Sequence, residues 1–270
     1  MTAVRSRSVV SSAATDGPAC MVRHGVGPEL FVGFHGWSGS CRSFDPLIPY
    51  LPEDVSLFSL DQPGFGKTPA PRSWSSESLV TPSVQAIEQL PFGPLTLIGN
   101  CAGAVVALLV AIRLHRPVRR VVLIDPFAYA PWYFSIFDHF LVGRLFYLLT
   151  FANPLGRWMT NRSLGSLRSP TTDLVEGFRS VRHFDNWSFL RAVMSVGRKG
   201  VHQFASYAGE VDLLVGERTF HAVERSIPQW TELWPHARSQ KIRGAGHLPV
   251  HEAPEAVARA IFYERRGLNR

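Results

Sequence analysis

The 270-residue sequence is short of three things, and each shortage removes a class of protein. No uninterrupted apolar run reaches the roughly 18 to 20 residues that a bilayer-spanning helix needs. Cysteines number three, Cys20, Cys41 and Cys101. An odd count without metal-ligand spacing removes a disulfide framework and a zinc site, and makes a reducing, cytoplasmic setting the expectation. Acids are scarce as well: 21 Asp and Glu stand against 28 Lys and Arg, a net charge of +7. That excess favours encounter with anionic partners, among them a membrane surface, nucleic acid, coenzyme A or an acidic acyl carrier protein. No recognisable nucleic-acid-binding module accompanies the charge, so nucleic acid is set aside. One further absence is decisive. Gly66-Lys67-Thr68 has the ending of a phosphate-binding loop, but the glycine this motif requires at position 61 is Asp61, and nucleotide binding is excluded.

What is present fits one α/β domain carrying an insertion. A hydrophobic fraction of 46% is ordinary for a globular chain and excludes disorder of the whole. Residues 1–18, rich in Ser and Ala with Arg5 and Arg7, lack the apolar run of a signal peptide and read as a mobile tail. Short apolar stretches at 29–34, 55–60, 95–98, 119–124, 211–215 and 238–242 have strand character. Helical stretches lie between them: one around 84–90 after a Pro/Ser-rich lead, one after position 101, and one at the carboxyl end. This alternation predicts a mostly parallel sheet with helices on both faces, built from residues 19–125 and 208–270. Between 126 and 207 the alternation stops, and a helical cap over the sheet edge is expected.

The stretch 95–104 carries the sharpest signal. Apolar Leu95-Thr96-Leu97-Ile98 runs directly into Gly99-Asn100-Cys101-Ala102-Gly103-Ala104, so strand, turn and helix meet at Cys101. Small flanking residues are what such a turn demands, because strand and helix nearly touch there. The pattern G-x-C-x-G resembles the nucleophile elbow of the α/β-hydrolase family, with cysteine where serine is usual. Other motifs follow in the family's order. His35-Gly36-Trp37 after the first parallel strand is similar to the family's oxyanion loop, and Asp61-Gln62-Pro63-Gly64-Phe65-Gly66 to its structural D-x-x-G-x-G turn. Gly244-Ala245-Gly246-His247 is similar to its histidine loop.

The resemblance implies a nucleophile, acid and histidine in the order Cys101, Asp125, His247, with backbone N–H groups of Trp37 and Ala102 as the oxyanion donors. The family's common acid position after the next strand holds Thr219 instead of aspartate, so the acid is expected at Asp125, with Glu217 in reserve. His247 and His251 have an i,i+4 spacing, but Pro249 between them spoils a regular helix and no third ligand recurs. No metal and no cofactor is expected.

Ten of the chain's 31 aromatics fall between Phe127 and Phe151. Phe137, Phe140, Leu141, Leu145, Leu148 and Leu149 in that stretch follow helical spacing while Phe146 and Tyr147 fall off the stripe, a pattern that suits a packed face, an acyl pocket or contact with lipid. Together with His35 and Asn100, Phe127 and Trp132 are expected to contact the substrate. Residues 126–205 carry nine Lys and Arg against four Asp and Glu. A basic, aromatic cap suits an apolar acyl substrate with an anionic head or carrier, and peripheral contact with a membrane. The expected activity is cleavage of an apolar acyl ester or thioester through an acyl-Cys101 intermediate. Transfer of that acyl group to another nucleophile and simple binding of an apolar ligand are the alternatives the same residues allow.

Overall fold

The computed structural model describes residues 8–10 and 17–264. Eight strands form one sheet: β1 (Ser8–Val10), β2 (Met21–His24), β3 (Glu29–Phe34), β4 (Val55–Leu60), β5 (Leu95–Asn100), β6 (Arg120–Ile124), β7 (Glu210–Gly216) and β8 (Arg238–Ile242). Their spatial order is β1-β2-β4-β3-β5-β6-β7-β8. From β4 to β8 every neighbouring pair is parallel, whereas β2 runs antiparallel to β4 and β1 antiparallel to β2. Of the expected tail, Ser8–Val10 is thus an edge strand rather than free chain. Positions 1–7 and 11–16 lie outside the described residues.

Strand periodicity sorts side chains into two cores. Leu30, Val32, Phe34, Leu95, Leu97, Val121, Leu123, Val211 and Leu213 face one side, while Phe31, Ile98, Val122, Ile124 and Leu214 face the other. The first face is covered by α1 (Ser76–Glu88), α2 (Ala102–Ala111) and later helices, the second by α9 (Pro254–Phe262) and a 3-10 segment over Cys41–Tyr50. Helix α1 begins well before the expected position 84, because Ser75 and Ser78 cap one another reciprocally, each hydroxyl accepting from the other's backbone N–H. Helix α2 is apolar all round, and its residues 102–110 are all buried, as befits a helix against the sheet's centre.

Between β6 and β7 lie α3 (Phe140–Tyr147), a π-helical turn over Leu148–Ala152, α4 (Pro154–Ser163) and α5 (His183–Gly197). The chain then returns through β7 to α6 (His221–Glu224), α7 (Ser226–Leu233), β8, α8 (Pro249–Glu252) and α9. Helix α5 departs from the expected boundaries. Phe189, Ala192, Val193 and Val196 pack into the same core as α1 and α2, so this helix belongs to the sheet's covering layer although it lies inside 126–207. Its other side, Trp187, Leu190 and Met194, joins a separate aromatic cluster with Phe137, Tyr147, Phe151, Val175 and Phe178. Among the described residues no single helix is long and apolar enough to cross a membrane.

One buried ion pair ties the second face together. Arg120 Nε donates to Asp212 Oδ2 at 2.6 Å across β6 and β7, while its other nitrogens donate to the Ala260 and Ile261 carbonyls at the end of α9. Burial pulls the Arg120 guanidinium down and pushes the Asp212 carboxyl up, and the pairing offsets part of each. Arg120→Ala should therefore cost about 3–5 kcal/mol, since it leaves Asp212 buried and two helix carbonyls without their donor. A urea-unfolding difference below about 1 kcal/mol would show the pair to be dispensable.

Candidate active site

Cys101 occupies the turn between β5 and α2 with φ 52° and ψ −116°. A non-glycine residue held there stores on the order of 1–3 kcal/mol of backbone strain, which the surrounding structure must hold in place. The Cys101 N–H donates to Ile124 O at 2.8 Å, locking the turn to the next strand. A Cβ on Gly99 would stand 2.4 Å from Ala104 Cα, and one on Gly103 would stand 2.3 Å from Phe34 O. Only glycine fits either place. The result is a half-buried thiol raised above the carboxyl ends of the strands, at the amino end of a buried helix.

His247 and Asp125 meet beside it. The His247 Nδ1–H donates to Asp125 Oδ2 at 3.0 Å, and its side chain is within hydrogen-bonding reach of the Cys101 sulfur. Asp125, fully buried at the end of β6, also accepts at Oδ1 from the Gly216 N–H at 2.8 Å. Thr219, in the place where aspartate was looked for, joins them: its hydroxyl donates to Asp125 Oδ2 at 2.7 Å and lies 2.9 Å from His247 Nδ1. Burial by itself would pull the imidazole down, but the Cys101 sulfur and Asp125 carboxylate overcome it and push His247 up to about 10. Glu217 lies elsewhere, exposed and accepting from the Gly244 N–H.

The loop after β3 completes the arrangement. Gly39 N–H donates to Gly36 O at 3.1 Å, closing a tight turn in which Ser38 adopts φ 62°. A Cβ on Gly36 would lie 3.4 Å from Cys101 Cβ, so this turn abuts the thiol. Trp37 is clamped from outside. Its ring lies 4.8 Å from Phe178 and 4.9 Å from Phe151, both edge-on, and its indole N–H donates to Asn186 O at 3.1 Å. Ala102, the first residue of α2, presents the other backbone N–H expected of an oxyanion site.

A cavity of about 850 Å³ opens over Cys101 and His247. Asn100 and Phe127, both expected to contact substrate, line it, and Phe127 stands 6.0 Å edge-on to the His247 ring. The Asn100 Oδ1 is buried and finds no donor among the described residues. Two expected contacts are corrected. His35 is fully buried beneath the loop and does not line the cavity. Its Nδ1–H donates to Gly36 O at 2.8 Å, its Nε2 accepts from the Gln62 N–H at 3.1 Å, and burial lowers it to about 4 against Gly36 and Asp61, so it is a neutral brace for the turn. Trp132 is 84% exposed and stands outside the cavity. In its place the adjoining Tyr133 and Phe134 face the thiol's chamber. Burial, followed by Tyr129 and Cys101, pushes the Tyr133 phenol up to about 12 and keeps it neutral. Phe220 is a further cavity residue that sequence reasoning missed, 4.5 Å edge-on to His247.

Comparison with known proteins agrees with this geometry. Residues 30–260 match the model of the "Alpha/beta hydrolase family". A "Probable serine hydrolase" of Drosophila melanogaster is 29% identical over 104 residues, 36% of this chain and 30% of that protein. A "Pimeloyl-[acyl-carrier protein] methyl ester esterase" of Legionella pneumophila (strain Lens) is 41% identical over 54 residues, 20% of this chain and 22% of its own. The chain thus spans less than a third of the length of either relative. Among solved structures, MenH from S. aureus superposes with a TM-score of 0.75 at 17% identity, over 89% of this chain and 96% of that one. With the elbow, histidine loop and sheet order in place and the family match covering most of its length, the chain belongs to the alpha/beta hydrolase family.

Proposed function

We propose that this protein is an esterase or thioesterase that cleaves an apolar acyl ester through an acyl-Cys101 intermediate. The observation that carries the reading is the buried chain Cys101–His247–Asp125, in which a carboxylate orients an imidazolium toward a sulfur. Cys101 attacks the acyl carbon as thiolate and the carbonyl oxygen takes up the electron pair. The Trp37 and Ala102 N–H groups hold that oxyanion. Collapse expels the alkoxide or thiolate leaving group, which takes its proton from His247 Nε2. Neutral His247 then accepts a proton from water as the water attacks the thioester, and the acid departs with Cys101 restored as thiolate.

Substrate class is read from the walls. Phe127, Tyr133, Phe134, Phe137, Phe151 and Phe220 supply an apolar lining suited to an acyl chain. The inserted segment acts as a cap, because most of these aromatics come from it. Basic charge in that segment suits coenzyme A or an acyl carrier protein as the acyl group's carrier, and the Legionella relative's name speaks of a carrier-borne methyl ester. The aromatic walls also favour a second reading, acyl transfer, since excluding water from the acyl-enzyme lets another nucleophile take the acyl group.

Intact-mass analysis after mixing with short- and long-chain acyl esters and thioesters distinguishes these. A transient adduct with release of free acid is the expected result. An adduct that persists until an alcohol, amine or thiol is added marks a transferase, and no adduct with any substrate would remove acyl-enzyme chemistry altogether.

A further inference from the structure

The segment between β6 and β7 carries many of the large apolar side chains that the surface leaves exposed. Leu155, Trp158 and Met159 on α4 repeat at i, i+3 and i+4 and are 61%, 60% and 58% exposed. Leu141, Val142 and Leu145 on α3 and Leu149 on the turn that follows are exposed as well. No residue of α4 is buried. Large side chains exposed in this density on consecutive elements are rarely left to water.

Charge selects the partner. Between positions 139 and 172 there is no Asp or Glu, while four arginines are present; Arg157 and Arg168 turn back onto backbone carbonyls, which leaves the exposed Arg144 and Arg162 to carry the surface charge. Arg162 lies over the exposed Trp158 ring at 5.9 Å, and Arg144 over the exposed Phe184 ring at 5.5 Å, so each of these guanidiniums sits against an exposed aromatic ring. Nearby Arg182 is already paired with Asp185, and Arg198 with Asp138. A second copy seated across a two-fold axis would bring these arginines against themselves with no acid to answer them. A bilayer rich in anionic headgroups answers both halves of the surface: acyl chains take the leucines and Trp158, and phosphates take the arginines.

We infer that the outer face of α3 and α4 docks this protein peripherally on an anionic lipid surface. Thr160 and Leu164, on and just after α4, line the active-site cavity, so docking sets the cavity wall beside the source of an apolar substrate.

The test is co-sedimentation of the full chain with vesicles of phosphatidylcholine alone and of phosphatidylcholine mixed with phosphatidylglycerol, read alongside the tryptophan emission maximum. Wild type should pellet with the anionic vesicles, shift to the blue, and release at high salt. L155S/W158S/M159S should lose pelleting, and R144E/R162E should weaken it by on the order of tenfold or more. None of these five residues lines the cavity, and circular dichroism checks their folding. Because binding is read without turnover, it stands or falls separately from the acyl-enzyme proposal. Wild type remaining in the supernatant with both vesicles would overturn the inference. So would equal binding to both, which removes the anionic term, or a wild-type dimer in sedimentation velocity that the triple variant dissociates.

Discussion

Cys101→Ala is expected to lower acyl-ester turnover by about four orders of magnitude or more, with unfolding midpoint and apolar-ligand binding retained. The size follows from the site's division of labour. In the proposed mechanism no covalent intermediate forms without the sulfur, and what would remain is the pair of backbone donors at Trp37 and Ala102 together with substrate positioning, which elsewhere account for only a residual part of such catalysis. The change is small in volume and the residue is half-buried, so the core around α2 is untouched. The backbone strain at φ 52° remains, because alanine meets the same steric limit as cysteine. Single-turnover and steady-state rates on one activated ester are the measurement. A variant within about tenfold of wild type would move the chemistry to another group.

The second large effect is at His247. Replacement by alanine should cost about a thousandfold in turnover, because the proposed mechanism makes the imidazolium both the countercharge to the sulfur and the proton donor to the leaving group. Asp125→Asn should cost less, since Thr219 also faces His247 Nδ1 and keeps part of the orientation. The same histidine gives a pH signature. Its value in the folded protein, about 10, lies above its ordinary 6.5. The imidazolium therefore contributes stability in full below about pH 6.5 and loses it as pH rises through about 10. Nuclear magnetic resonance of the ring should show it protonated at neutral pH in wild type. In Cys101→Ala, which removes the largest of the raising partners, the titration should move down by at least about one unit. An unmoved titration would mean that Asp125 alone holds the proton.

The parts of the site legible from sequence are those set by local chain geometry. An elbow needs small residues at fixed offsets from the nucleophile, and Gly99, Ala102 and Gly103 stand at those offsets. Asp125 was legible because it ends a strand before a proline, and the loop of His247 because glycines surround it. What escaped depends on distant partners. His35 reads as a loop residue beside the nucleophile, but Gln62, 27 positions away, draws it under the turn. Thr219 reads as a lost aspartate, whereas in space it is a hydroxyl shared by Asp125 and His247. Aromatic density marked the pocket wall, yet it could not rank neighbours, and Tyr133 and Phe134 face inward where Trp132 faces out. The leucine stripe of α3 is ambiguous for the same reason: helical spacing identifies a face without saying what covers it. Tyr147, off that stripe, is the side chain that is fully buried.

The segment between β6 and β7 is tied to the region of His247 at two points. Its Leu167 carbonyl accepts the His247 backbone N–H at 2.8 Å, and Ser169 N–H donates at 2.9 Å to Glu252, just beyond the histidine loop. Its aromatic cluster also grips Trp37. The segment is consequently not an interchangeable module. Under the proposed mechanism, exchanging it for that of a relative would dislodge base and oxyanion donors together, so recombination at its borders should carry a catalytic penalty even where both parents are active. Divergence toward new substrates would then fall to point changes on the cavity wall, at positions such as Leu164 that touch the ligand space without anchoring either loop.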